Sequence, residues 1–284
     1  MDSLFAIEMK NITKSFDGFL ANDEVDLSVK KGGIHALVGE NGAGKSTLMK
    51  VLYGMYHPDS GTISVHGNEV SIESPSKAIS LGIGMVHQHF MLVDTLTVLE
   101  NIVLGDEGTF FLGAVNYKMA ASRISEILRD FDIKIDLQTK TGSLPVGTQQ
   151  KIEIVKLLYR NADILILDEP TAVLTPQETE DLFKTLKELA AGGKTIILIT
   201  HKLGEVLAVS DSVTVLRRGK VSGVVETHAT DKTGLANMII GEEMEQVSRR
   251  ENMAGSTSVL TVDNLTVKND TKLTAVNNVT FSIS

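Results

Sequence analysis

Apolar positions along this chain fall into short unbroken runs, with longer stretches of helical spacing between them. "IHALV" (34–38), "GIGMV" (82–86), "DILIL" (163–167) and "TIILIT" (195–200) are continuous enough to be strands covered on both faces. Their alternation with helical patterns predicts an α/β fold with a largely parallel sheet. Elsewhere the period is two. "IEMKNITKSF" and "NDEVDLSV" alternate like the arms of a hairpin, as do "GTISVHGNEVSI" (61–72) and "SVTVLRRGKVSGVV" (212–225). These segments are expected to form a smaller antiparallel sheet beside the main one. Between about 94 and 160 the pattern turns helical, with a capping-type start in "DTLTVLENIVLG" and helical spacing in "MAASRISEILRDF". This stretch reads as a helical insertion between two core strands.

Near residue 245 the pattern breaks into "EQVSRRENMAGSTS", polar and small, the composition of a linker. A repeat follows it. "MKNIT" (9–13) answers to "VDNLT" (262–266), and "ANDEVDLSV" (21–29) to "AVNNVTFSI" (275–283), one residue out of the first register. The division this suggests is a first domain over 1–245, a linker over 246–257, and the first hairpin of a second, truncated copy over 258–284.

Composition narrows the function classes only at the edges. The chain has 284 residues, 42% hydrophobic and 22% charged, as an ordinary globular protein does. No apolar run approaches the roughly 18 residues that a membrane span needs, and "MDSLFAIEMK" does not read as a secretion signal. The chain lacks cysteine, which excludes disulfides and thiolate metal sites. A net charge of −9 argues against a general nucleic-acid surface.

The candidate chemistry begins with "GENGAGKST" (39–47), which follows one strand and opens a helix. This is GxxxxGK[ST] in the strand–loop–helix context that gives it meaning. Glycines let successive backbone N–H groups turn toward phosphates, and the helix amino end adds its positive dipole. Gly39, Asn41, Gly42, Ala43, Gly44, Lys45, Ser46 and Thr47 are therefore the candidate nucleotide-binding set, with the Ser46 hydroxyl also placed for Mg²⁺. Asp168 and Glu169 end "DILILDEP", His201 ends "TIILITH", and Gln88 lies two residues past "GIGMV". Ligands of open parallel sheets sit outside the carboxyl ends of the strands, so these side chains are expected to converge on the cradle. Asp168 and Gln88 are candidate metal contacts. Glu169 is the candidate base for an attacking water, with His201 and Gln88 as catalytic partners. His35, His66, His87 and His89 lack metal-ligand spacing with carboxylates.

With these residues in hand, the sequence resembles the ATP-binding cassette (ABC) ATPases over about residues 5–245, and the resemblance restarts near 258. "GENGAGKST" looks like the Walker A motif, "MVHQ" like the Q-loop, "ILILDEP" like Walker B and "ITH" like the switch histidine. The resemblance implies a P-loop NTPase (RecA-like) core with an antiparallel β-subdomain and a helical insertion, and ATP with Mg²⁺ as ligands. It also implies that Phe16 in "KSFDG" stacks on adenine, although the aromatic alone would read as core packing.

"LPVGTQ" stands where this family has its signature, usually LSGGQ, which touches the nucleotide of a partner domain. Leu144 and Gly147 match, Pro145 replaces the serine, Val146 a glycine and Thr148 the glutamine, with Gln149 following. Proline fits the first helical turn but offers no hydroxyl to phosphate. "TAVLT" also places Thr175 where the family usually has aspartate. The short linker and "DEPTAVLTPQE" look like importers of simple sugars and nucleosides, most like the nucleoside branch. That implies a second ABC ATPase domain, transmembrane permease subunits and an extracytoplasmic solute-binding protein as partners, on the cytoplasmic face of the membrane. The competing classes are soluble tandem cassettes acting on ribosomes, chromosome-maintenance cassettes and a nucleotide sensor without hydrolysis. The intact Glu169 speaks against the last, and the absence of a long coiled coil against the second.

Overall fold

The computed structural model describes residues 3–88, 91–105, 116–241, 259–268 and 274–283. The chain divides into two compact units, Met1–Glu243 and Met244–Ser284. The expected linker over 246–257 lies outside the described residues.

In the first unit the central sheet has six strands. β3 (Ile34–Val38), β6 (Ile83–Val86), β7 (Ile164–Asp168), β8 (Thr195–Ile199) and β9 (Ser212–Arg217) run parallel, and β10 (Lys220–Glu226) adds an antiparallel edge. Their spatial order is β10-β9-β3-β8-β7-β6. The four apolar runs that predicted covered strands are buried residue for residue across β3, β6, β7 and β8. A second sheet holds β1 (Phe5–Phe16), β2 (Phe19–Lys30), β4 (Ser60–Val65) and β5 (Asn68–Val70), antiparallel in the order β2-β1-β4-β5.

One expectation is corrected here. The segment 212–225, expected in the small sheet, joins the main one, with β9 beside β3 and β10 at the edge. The reason is visible in β9 itself: Val213, Thr214, Val215 and Leu216 are buried in succession, as an interior parallel strand requires. Only β10 keeps a two-residue alternation, because one of its faces meets solvent.

Helix α1 (Lys45–Leu52) buries Leu48, Met49, Val51 and Leu52 in a core shared with residues of both sheets. On the other face of the main sheet, β7 and β8 residues pack with α6 (Pro176–Ala191). α7 (Leu203–Val209) and α8 (Lys232–Ile240) pack with β3 and β9. α2 (Pro75–Ser80) leads into β6. Between β6 and β7 come α3 (Val98–Val103), α4 (Tyr117–Asp130) and α5 (Val146–Tyr159), which enclose an apolar cluster including Val98, Ile102, Ile124, Ile152 and Val155. The start of α3 is capped as its sequence predicts: the Thr97 hydroxyl accepts from the Glu100 N–H, and the Glu100 carboxylate accepts from the Thr97 N–H.

The second unit is a hairpin of β11 (Leu260–Lys268) and β12 (Thr274–Ile283). It repeats two irregularities of the β1–β2 hairpin. Asn11 and Glu24 are left-handed, and so are Asn264 and Asn278. The Asn11 N–H donates to Asp26 at 2.7 Å and the Glu24 N–H to the Thr13 hydroxyl at 3.2 Å. In the second hairpin the Asn264 N–H donates to the Thr280 hydroxyl at 2.9 Å and the Asn278 N–H to the Thr266 hydroxyl at 3.1 Å. Bulges re-aim strands and release ladder N–H groups, and here both hairpins satisfy the released groups with side chains at matching places.

Candidate functional site

The loop from Gly39 to Gly44 links β3 to α1 through left-handed backbone at Gly39, Gly42 and Gly44. Side chains would not fit at two of these. A methyl group on Gly39 would collide with the Leu216 carbonyl, and one on Gly44 with the Ala21 carbonyl. The loop borders a cavity of about 420 Å³ lined by Phe19, Ala21, Asn41, Gly42, Gly44, Lys45, Ser46, Thr47, Gln88 and Glu169. A larger cavity, about 690 Å³, lies elsewhere, between α2 and Arg160, and contains neither the loop nor the β7 acids.

Lys45 is buried, and its Nζ donates to the Gly39 and Glu40 carbonyls at 2.8 and 2.9 Å. Burial holds its pKa below the usual lysine value, while the charges of Glu169 and Asp168 oppose the shift. Asp168, at the end of β7, is pushed up by burial; the Ser46 hydroxyl opposes the shift and the Glu169 charge adds to it. Ser46 Oγ lies 3.5 Å from Asp168 Oδ1. A hydroxyl and a carboxylate so placed suit a hard divalent cation that keeps most of its waters.

Glu169 is where the site departs from ordinary backbone. Its φ is +46°, a left-handed conformation for a residue with a full side chain, and its N–H donates to the Ile199 carbonyl at 2.9 Å. The turn brings its carboxylate to the cavity, with one oxygen 2.9 Å from His201 Nδ1 and the other accepting from Gln88 Nε2 at 3.4 Å. The structure thus gathers Lys45, Ser46, Gln88, Asp168, Glu169 and His201 from four chain segments onto one sheet edge. A carboxylate held at both oxygens in such a place can orient a water and take its proton.

The other expected residues are placed differently. Phe16 packs edge-on against Tyr56 at 5.1 Å between ring centres, with Lys14 Nζ 5.5 Å from its ring centre. Phe19, its cross-strand partner, lines the cavity and is 65% exposed. The tight Asp-Gly turn of "FDGF" makes Phe19 the cross-strand partner of Phe16.

In the signature segment, Pro145 precedes α5 as its capping residue and gives it no side-chain bond. Its carbonyl accepts from the Thr148 and Gln149 N–H groups, both at 3.0 Å. Pro145 and Val146 are exposed, Leu144 packs against the helical cluster, and Gln149 Nε2 donates to the Thr141 and Leu144 carbonyls. Gly147 is the signature glycine that the resemblance sets toward a partner's nucleotide. Here its amide is buried and donates to Glu178 Oε1 at 3.0 Å. The other oxygen of Glu178 accepts from the Thr175 N–H and hydroxyl at the start of α6. Thr175 is therefore a helix cap, which explains a hydroxyl residue at that place. Glu178 was not singled out from sequence, because its link to α5 exists only in the fold.

Comparison with known proteins decides the family. The ABC transporter family model matches residues 22–172, more than half of the chain. The chain belongs to the ABC transporter family. It is 48% identical over 98% of its length to the guanosine import ATP-binding protein NupO of Bacillus subtilis, of which it covers 54%. It is likewise 48% identical over 92% of its length to the nucleoside import ATP-binding protein NupA of Lactococcus lactis, of which it covers 52%. Among solved structures, the ADP conformation of an ATP-binding cassette of an ABC transporter superposes with a TM-score of 0.72 at 27% identity, covering 84% of this chain and 100% of that one. The fold is that of an ABC ATPase cassette. The chain spans about half the length of the curated relatives it matches.

Among the described residues no helix is long and apolar enough to cross a membrane. Among the same residues no group of three or more His, Cys, Asp or Glu is arranged to hold a metal ion.

Proposed function

We propose that this chain is the first ATP-binding, ATP-hydrolysing cassette of an importer for nucleosides or simple sugars. The observation that carries the reading is Glu169, held between Gln88 and His201 across the cavity from the glycine loop. In this reading the amides of Gly42, Gly44 and Lys45 and the Lys45 ammonium hold the phosphates. Ser46 and Asp168 hold Mg²⁺, which supplies charge neutralisation to the phosphates. Glu169 orients the water and accepts its proton, Gln88 positions that water, and His201 fixes the carboxylate. Phe16 and Phe19 flank the base. The importer assignment rests on the relatives' names, which print guanosine and nucleoside import.

The partners follow from the same reading. A second cassette belongs to the same full-length protein, and the β11–β12 hairpin is its beginning. The shared bulges support this, and so do the apolar positions Val279, Phe281 and Ile283, exposed in the hairpin while Val25, Leu27 and Val29 at the matching places are buried. The rest of that cassette would cover them. Membrane permease subunits receive the helical segment at the cytoplasmic face, and an extracytoplasmic binding protein delivers the solute. Met91 and Val93, exposed on the loop between β6 and α3, suit such a docking surface; His89 and Phe90 of the same run lie outside the described residues.

Affinity purification of the full-length protein from its own cells tests the assignment. Recovery of membrane permease subunits, with ATP turnover that rises on adding binding protein and solute, is the expected result. Sedimentation with ribosomes and no membrane partner would replace transport with the ribosomal alternative.

A further inference from the structure

The glycine cradle is anchored from behind by residues that lie outside it. Asn22, on β2 and fully buried, donates from Nδ2 to the Gly44 carbonyl at 3.2 Å. Gly219, in the turn between β9 and β10, donates its N–H to the Ala43 carbonyl at 3.1 Å. That turn is fastened to β2 in its turn: the Asp23 N–H donates to the Gly219 carbonyl at 2.8 Å, and Lys220 pairs with Asp23 at 2.8 Å. Two successive cradle carbonyls therefore face donors on the side of β2.

The consequence follows from peptide geometry. In a trans peptide the C=O and the following N–H point in opposite directions. Holding the Ala43 and Gly44 carbonyls toward β2 and the 217–220 turn sends the N–H groups of Gly44 and Lys45 the other way, where both residues line the cavity. The Leu48 N–H also donates to the Gly44 carbonyl, at 2.9 Å, and sets its direction along the α1 axis. Asn22 adds what that helical bond lacks, a tie between the helix end and a neighbouring strand.

Asn22 also works against stability where it stands. Its Oδ1 is enclosed by protein and has no hydrogen-bond partner, and a buried acceptor left bare is unfavourable. An apolar side chain of similar size avoids that penalty, so packing alone does not account for the residue.

We propose that Asn22 is a positioning residue of the phosphate site, tying the Gly44 carbonyl to β2 so that the Gly44 and Lys45 amides are aimed before nucleotide arrives. The inference rests on the nucleotide-binding reading above.

The test compares the unchanged chain with Asn22→Leu and Asn22→Asp. ATP, ADP and AMP are titrated calorimetrically well below the melting temperature, and each protein is melted without nucleotide. Asn22→Leu is expected to bind ATP and ADP roughly tenfold more weakly, to hold AMP within about twofold, and to melt no lower than the unchanged chain. Asn22→Asp, which puts an acceptor against the Gly44 carbonyl, is expected to lose more. Unaltered ATP affinity in Asn22→Leu overturns the proposal. An equal loss for AMP and ATP, or a loss matched by a lower melting temperature, also overturns it. An unchanged chain that binds no ATP overturns the nucleotide site itself, and this inference with it.

Discussion

At the scale of single residues, the site joins two kinds of side chain. Lys45 and Ser46 were legible from the GxxxxGK[ST] motif, and Asp168, Glu169, His201 and Gln88 because each stands at or just past a strand end and one rule sends strand ends to one edge. Phe19, Asn22 and Glu178 were not, since each acquires its neighbour only through a turn or a tertiary contact. For Glu169 the account makes a separable prediction. Glu169→Gln keeps the size and one accepting oxygen yet removes the proton acceptor. ATP affinity should therefore stay within a few-fold while turnover falls by about 10²–10⁴, measured as phosphate release. Equal losses in affinity and turnover would instead assign Glu169 to binding.

His35 gives a second prediction at this scale. It is buried on β3 with its ring nitrogens 2.8 and 2.9 Å from the Ser212 and Thr214 hydroxyls, and burial lowers its pKa from 6.5 to about 4. Between those values the unfolded chain binds the proton and the folded one does not. The stability His35 allows is complete above about pH 6.5 and is lost as pH falls toward 4, by an amount on the order of 3 kcal/mol. Denaturant melts across that window should show the loss in the unchanged chain and a smaller one in His35→Gln. Identical slopes would mean that other groups govern the acid limb.

At the scale of elements, most of the architecture could be read from periodicity. The buried strands, the β1–β2 and β4–β5 hairpins and the capped start of α3 all follow from local pattern. β9 and β10 did not, because the run alternates in sequence, and only the fold shows Thr214 buried between Val213 and Val215. The junction of α5 and α6 belongs to this scale too. Thr175 and Glu178 cap α6 reciprocally, and Glu178 also takes the Gly147 amide of α5. These bonds hold the Glu178 carboxyl below the usual carboxylate range, with the Thr175 N–H first among the causes and the Gly147 N–H second. Thr175→Ala should lower stability by about 1 kcal/mol, whereas Glu178→Ala loses the tie to α5 as well and should lower it further. A chemical denaturation series orders the two, and the reverse order would show that the α5 contact contributes nothing.

At the scale of the whole molecule, the two hairpins share their bulges, left-handed residues and side-chain caps, as the proposed second cassette requires. In the pairing that the resemblance implies, a cassette closes on nucleotide with a signature from its twin, and this chain holds Pro145 where that signature usually has serine. Proline supplies no hydroxyl, so in the full-length protein the site facing Pro145 should be the slower one. Pro145→Ser, with the first site silenced by Glu169→Gln, should raise turnover by up to about a hundredfold, the effect of one transition-state donor. No change would make the proline a neutral variant. In that pairing the signature segment of this chain serves a partner's nucleotide, so turnover should be slow in dilute protein and rise with protein concentration.

The central claim is that the loop from Gly39 to Thr47 and the acids Asp168 and Glu169 enclose a nucleotide's phosphates. Calorimetric titration of ATP with Mg²⁺ into the unchanged chain and into Lys45→Ala tests it most directly. The account predicts one nucleotide bound per chain, with affinity reduced at least roughly a hundredfold in the variant, which loses a charged contact to phosphate. Full affinity in a folded Lys45→Ala chain would contradict it.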